Sequence, residues 1–365
     1  MTRPLPALLP TACALLLAAC GDGAEDAVPE AREAAEREVG TAVSDERSDE
    51  PASSTALTPA SDPNAPTAPI TDLLGQFGGT VPGLAVWAHP VTPYLGSVVA
   101  ANGEAGLTLV PLDPETAPRT QEGTFDGAVG VGYLDSGASV IAAVSGGQVR
   151  LFEVGDDRRL TEAGTFPSTE DASLCFDGAR LYMAAPVQLD FVMEPSVTLS
   201  TGERVTMTSV QGTFCARITE GVVLTDRASF GADAPLPAAS VADAVQVAVV
   251  RTPDPTLVML GQDGRLRIGD RPVTLTRDGA PQEPYARIAA GSGNFGGVHR
   301  DGVVVVLDAE NRLMAAPWSG IARAVGAPVE TASRRPEPED AAPTEFRPEL
   351  PEVPGLTRPG GEGQD

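Results

Sequence analysis

The chain has 365 residues, with 50 acidic side chains against 25 basic ones and a formal net charge of −25. Every basic residue is arginine; there is no lysine. An acidic balance this strong argues against a nucleic-acid partner, whose phosphates need a basic footprint. Two histidines, His89 and His299, are too few for a histidine-rich metal centre and argue against a histidine-dependent hydrolase.

In chain order, Arg3 and the apolar stretch "LPALLPTACALLLAAC" come first. This stretch is too short and too interrupted by proline for a transmembrane helix, and it reads as an export signal over residues 1–19. It ends in Leu17-Ala18-Ala19-Cys20, which resembles a bacterial lipobox, so Cys20 is expected to be acylated and to hold the mature chain on a membrane. Gly21 in place of aspartate favours sorting to an outer membrane. The expected location is the bacterial cell envelope, facing the periplasm or the cell surface. Residues 20–69 are expected to form a disordered acidic tether and residues 333–365 a disordered Pro/Glu-rich tail. Neither has enough large apolar residues to offset the entropy of ordering. A motif that folds on a partner is the alternative.

Residues 70–332 read as one domain. Short β-branched runs such as "ASVIAAVSGGQVRLFEV" and "PTLVMLGQDGRLRIGD" are broken by polar glycine turns. "SGGQ" and "QDGR" are hairpin signals, and no long run of helical period separates the strands. Strand pairs recurring every forty or so residues predict an all-β, six-bladed β-propeller, with a β-sandwich as the alternative. "GQFGG" and "GSGNFGG" open no helix, so they read as turns and not as phosphate cradles. Cys13 leaves with the signal and Cys20 is expected to be acylated, which leaves Cys175 and Cys215. In an oxidising compartment they form a disulfide or stay as separate buried thiols. Arg217, Asp226 and Arg227 are the candidate ligand-binding residues, an anion site on an open face of the propeller.

Three segments in order resemble the β-propeller phytases, calcium-dependent phosphatases that hydrolyse inositol phosphates. "GLAVWAHPVTPYLGSVVAANGEAGLTLVPLDP" is similar to that family's opening blade, which reads D-D-P-A-I-W before His or Asn and Pro. "FDGAVGVGYLDSGASVIAAVSGGQVRLFEV" follows its N-N-x-D-x-R-Y segment. "NFGGVHRDGVVVVLDAENRLMAAPWSGIA" resembles its closing blade. The resemblance spans roughly residues 83–322 and implies a phytase-like propeller in which clustered carboxylates hold calcium while Lys and Arg grip phosphate.

The framework residues Trp87, Pro90, Tyr133 and Trp318 are kept, but the ligand positions are not. Anchored on Trp87, the paired aspartates fall on Pro82 and Gly83. Anchored on Tyr133, the Asn pair falls on Gly127 and Ala128, the Asp on Gly130 and the Arg on Gly132. The C-V-A-D-D turn becomes Cys215-Ala216-Arg217-Ile218, and the acidic strand end becomes Leu224-Thr225-Asp226-Arg227. Glu104 stands in the turn that would bear a lysine.

The expectation is therefore a degenerate, non-catalytic member with no catalytic residue, no metal ligand and no cofactor. It would act as a binding module for an envelope protein or a small anionic ligand, with the membrane reached through the lipid anchor. A working 3-phytase, with calcium as cofactor, and a structural envelope lipoprotein are the alternatives.

Overall fold

A computed structural model describes residues 64–169, 171–230, 241 and 243–332. The export signal, Cys20, most of the tether and the 333–365 tail lie outside the described residues. Short runs of valine, leucine, isoleucine and alanine, closed off by polar turns, fold as twenty-five strands among the described residues. β1 (Thr67–Pro69) and β2 (Asp72–Gln76) come first and are used last, as outer strands of sheets made by the far end of the chain. The meander β3 (Gly83–Trp87), β4 (Ser97–Ala101), β5 (Leu107–Pro111) and β6 (Arg119–Gln121) forms the first sheet. β7 (Val129–Tyr133), β8 (Ser139–Ser145), β9 (Gln148–Val154) and β10 (Leu160–Pro167) form the second. In "SGGQ", Ser145 pairs with Gln148 across Gly146 (φ 56°) and Gly147 (φ 74°). Two adjacent left-handed residues are what a two-residue hairpin turn requires.

The third sheet departs from a meander. β11 (Ser173–Asp177), β12 (Arg180–Ala185), β13 (Ser196–Thr198) and β14 (Arg204–Gln211) lie in the order β11-β12-β14-β13, so β12 and β14 run parallel. The fourth sheet holds β15 (Ala216–Thr219), β16 (Val222–Leu224) and β17 (Ser229–Phe230). The fifth holds β18 (Ala244–Val250), β19 (Thr256–Gly261), β20 (Leu266–Ile268) and β21 (Arg271–Arg277), with β22 (Ala280–Pro281) on β21 and β1 parallel beside it. The sixth holds β23 (Tyr285–Gly291), β24 (Val303–Asp308) and β25 (Arg312–Pro317), and β2 completes it along the edge of β25.

The first strands of the sheets touch one another in succession: β3 beside β7, β7 beside β11, β11 beside β15, β15 beside β18, β18 beside β23, and β23 beside β3. Matched positions rise together along them. Gly83 abuts Gly127–Val129, and the Ala88 N–H donates to the Tyr133 hydroxyl at 2.6 Å. The first strands therefore run the same way, which gives the assembly a leading rim where they begin and a trailing rim where they end. Small sheets set radially on their first strands make an all-β, propeller-like architecture. The apolar core lies between successive sheets. Trp87, Val99, Leu107, Ile141 and Phe152 fill the space between the first two, and Val304, Met314, Trp318, Val258 and Leu275 that between the last two. Each fully buried side chain of this size contributes about 1.5–3 kcal/mol.

Two details differ from the expectations. The folded region begins before residue 70: Thr67–Pro69, inside the stretch read as tether, pairs with Thr274–Thr276. A helix, α1 (Trp318–Val325), also follows β25. It has apolar residues at Trp318, Ile321, Ala322 and Val325, the i, i+3, i+4, i+7 stripe of an amphipathic helix, and all four are buried. Gly326 ends it in the left-handed conformation, and the Trp318 indole donates to Pro328 O at 2.9 Å.

Candidate functional site

The six first strands enclose a cavity of about 160 Å3, open to solvent and lined by one segment from every sheet. Pro82, Ala128, Leu174, Cys215, Val247 and Ala289 each mark one wall. Residues 82, 83, 128, 130 and 132, where the resemblance places calcium and phosphate ligands, all line it.

The glycines there are packed. A Cβ on Gly83 would lie 2.5 Å from Gly127 O, 2.8 Å from Val129 N and 2.9 Å from Ala128 C, all backbone. On Gly132 it would lie 2.6 Å from Phe176 Cδ1 and 2.9 Å from Val140 Cγ2, and on Gly130 3.1 Å from Leu174 Cβ. At these residues neighbouring first strands lie in close contact. A carboxylate at position 83 would have to push β3 and β7 away from each other, against the sheets that hold their backbones together.

The charges near the cavity are held in pairs or against backbone. Arg217, on β15, has Nε 2.8 Å from Asp177 Oδ1, with both side chains mostly buried. This is an ion contact more than an aligned hydrogen bond, since Nε meets no acceptor at hydrogen-bond angles. Asp177 Oδ2 also accepts from Gly221 N. Asp226 Oδ1 accepts from Thr213 N at 2.7 Å, and its Oδ2 lies 3.7 Å from Nε of the exposed Arg227. The three candidate ligand-binding residues thus form two ion pairs. Arg217 pairs with Asp177 at the trailing end of β11, and Arg227 pairs with Asp226 beside Thr213, which precedes β15. Cys175 and Cys215 are bonded across β11 and the start of β15, with Cα atoms 5.5 Å apart, and the Cys215 N–H donates to Ser173 Oγ.

Arg287, which the sequence did not single out, brings a cation to the leading rim. Its Nε donates to Pro82 O at 3.0 Å and its Nη1 to Ala286 O at 2.7 Å. Burial lowers its pKa from the ordinary arginine value, yet a guanidinium keeps its charge in proteins. A fixed positive charge therefore sits against the residue where the resemblance places an aspartate. No signal in "EPYARIAA" marks it out, because its position depends on β23 lying beside β3.

Both histidines are structural. His89 Nδ1 accepts from Val91 N and Thr92 N, so its proton is on Nε2, which faces Asp156 O at 2.9 Å. His299 is buried, with Nε2 2.9 Å from Asp72 Oδ2 and no partner for Nδ1. Burial lowers its pKa below the usual histidine value, and Asp72 pulls in the opposite direction. Among the described residues, no group of three or more His, Cys, Asp and Glu side chains is placed to hold a metal ion, and no helix is long and apolar enough to cross a membrane.

No protein-family profile and no curated protein matches the chain. Among solved structures it is similar to BBS1N in complex with ARL6DN. The crystal soaked with mercury gives 11% identity, 67% of this chain, 94% of that one and a TM-score of 0.35. The crystal soaked with lead gives 10% identity, 68% of this chain, 65% of that one and a TM-score of 0.27. It is also similar to a streptogramin B lyase, at 12% identity over 66% of this chain and 85% of that one, with a TM-score of 0.30.

Proposed function

We propose that the chain is an exported, lipid-anchored, six-bladed β-propeller of the phytase type that has lost its calcium chemistry. In this reading it serves at the cell envelope as a non-catalytic binding module for a small anionic ligand or an acidic protein surface. The observation that carries the reading is the packing of Gly83, Gly130 and Gly132 between first strands: the ligand positions have become contacts between sheets. The anionic ligand is suggested by Arg287, a guanidinium held at the leading rim by carbonyl oxygens and so able to spend its remaining donors on a ligand. Cys20 would supply the anchor.

The test is phosphate release from inositol hexakisphosphate by the purified chain, with and without millimolar calcium, alongside melting curves in calcium and in chelator. The expected result is no release and no calcium-dependent shift in melting temperature. Calcium-dependent turnover would replace this reading with that of a working phosphatase.

A further inference from the structure

A second space opens on the trailing rim, between the fourth and fifth sheets. It has a volume of about 300 Å3, at the lower end of the range for small-molecule sites. One wall is the end of β15 and the turn after it, with Arg217 and Glu220. The other is the connection from β18 to β19, with Arg251, Thr252, Pro253 and Pro255.

Both walls are braced by the fold. Asp177 Oδ1 lies 2.8 Å from Arg217 Nε, and its Oδ2 accepts from Gly221 N at 2.9 Å, so one carboxylate steadies the arginine and the turn that carries Glu220. Opposite, the Arg251 N–H donates to Ser292 Oγ at 2.7 Å and its carbonyl accepts from Ala332 N. The buried Thr252 hydroxyl donates to Asp254 O, and Pro253 and Pro255 fix φ on either side of Asp254. A preformed site loses little entropy when it binds. The charges on the walls are of opposite sign and do not meet. Among the described residues, the two Nη atoms of Arg217 have no hydrogen-bond partner. Glu220 is exposed and, among the described residues, forms no ion pair with Arg217 or Arg251, although all three line one space.

We propose that this space binds a free α-amino acid as its zwitterion. The carboxylate lies against Arg217 and Arg251, the ammonium against Glu220, and the side chain along Pro253 and Pro255. Guanidinium groups hold carboxylates through charge-assisted hydrogen bonds. A simple dianion would be drawn to the arginines but repelled by Glu220, whereas a molecule with both charges satisfies both walls. The ion pairs are partly exposed and so contribute modestly, which gives an expected dissociation constant of about 0.1–1 mM. The site lies on the rim opposite Arg287 and does not rest on the anion reading of that residue.

Isothermal titration calorimetry of the purified chain with L-alanine, L-leucine, L-phenylalanine and L-glutamine tests this. At least one is expected to bind with that affinity. Its N-acetyl derivative, which lacks the ammonium, and its amide, which lacks the carboxylate, should each bind about tenfold more weakly. Glu220→Gln and Arg251→Met change exposed side chains, and each should weaken the amino acid about tenfold. Glu220→Gln should also remove the preference for the amino acid over its N-acetyl derivative, while Arg287→Met should leave its affinity unchanged. No binding of any of the four at about 10 mM overturns the proposal, as does equal binding of the amino acid and its N-acetyl derivative by the natural chain. Binding that is lost in Arg287→Met but kept in Glu220→Gln and Arg251→Met would move the ligand to the leading rim and overturn the site.

Discussion

Gly83→Ala measures how tightly the first strands are packed. The added methyl would lie 2.5–2.9 Å from three backbone atoms of residues 127–129. Backbone cannot rotate away as a side-chain tip can, so β3 and β7 must move apart or the methyl must strain its own strand. Overpacking of a filled interior costs about 1–3 kcal/mol. In a domain of this size each kilocalorie lowers the melting temperature by about 2–4 °C, so the loss should be about 2–12 °C. Gly78→Ala is the matched control. A Cβ there meets nothing within 4 Å and its φ lies outside the left-handed region, so the substitution only stiffens the unfolded chain and should stabilise by about 0.4–1 kcal/mol. Calorimetry of the two variants beside the parent should move the transitions in opposite directions. If Gly83→Ala melted as high as Gly78→Ala, position 83 would have room for a side chain, and the physical case against a calcium ligand there would fail.

Replacing Cys175 and Cys215 together by serine should lower stability by about 4 kcal/mol, from the loop entropy of a cross-link that closes 40 residues. The melting temperature should then fall by about 10 °C, and a fall of under 2 °C would mean that the bond contributes nothing to the fold. His299 is held neutral by burial, so the unfolded chain takes up a proton that the folded one resists. Its contribution is complete above about pH 6.5, the ordinary histidine value, and is lost as pH falls below that value toward the lowered one in the folded chain. His299→Gln should flatten the decline in melting temperature between pH 7 and pH 5.5; an unchanged slope would assign the acid sensitivity to other groups. Arg287→Met should abolish any rise in melting temperature produced by millimolar inorganic phosphate, whereas a rise that survives the substitution would place the anion elsewhere.

Strands and hairpins were legible because their signals are local. "SGGQ" supplies two adjacent left-handed residues, and "SVIAAVS" reads as a buried strand without any knowledge of its neighbours. The roles of residues in "VGVGY" were not, since Gly130 and Gly132 look like erased ligands until β11 is set beside β7. Arg287 was invisible for the same reason, as its partner Pro82 is 205 residues away. The helix Trp318–Val325 had a readable stripe, but over only 8 residues, too short for periodicity to stand out. The parallel pairing of β12 with β14 has no sequence mark, because residues 186–195 carry only an ordinary mixture of apolar and acidic side chains. "TAP" gave no sign of a strand, because Thr67–Pro69 is ordered by an edge built two hundred residues later.

The sixth sheet joins the two ends of the described chain, and that has a consequence for how the molecule is made. Thr71 and Ala315 meet although 244 residues separate them in sequence. At the ribosome, β2 appears more than two hundred residues before its partner strand β25. The assembly must therefore persist as an open arc, with the sheet surfaces on either side of the gap wet, until β25 has been delivered. Contacts this distant close slowly, and an arc with bare apolar flanks is prone to aggregate. A chain of this topology gains from any partner that covers those flanks until β25 is present to meet β2.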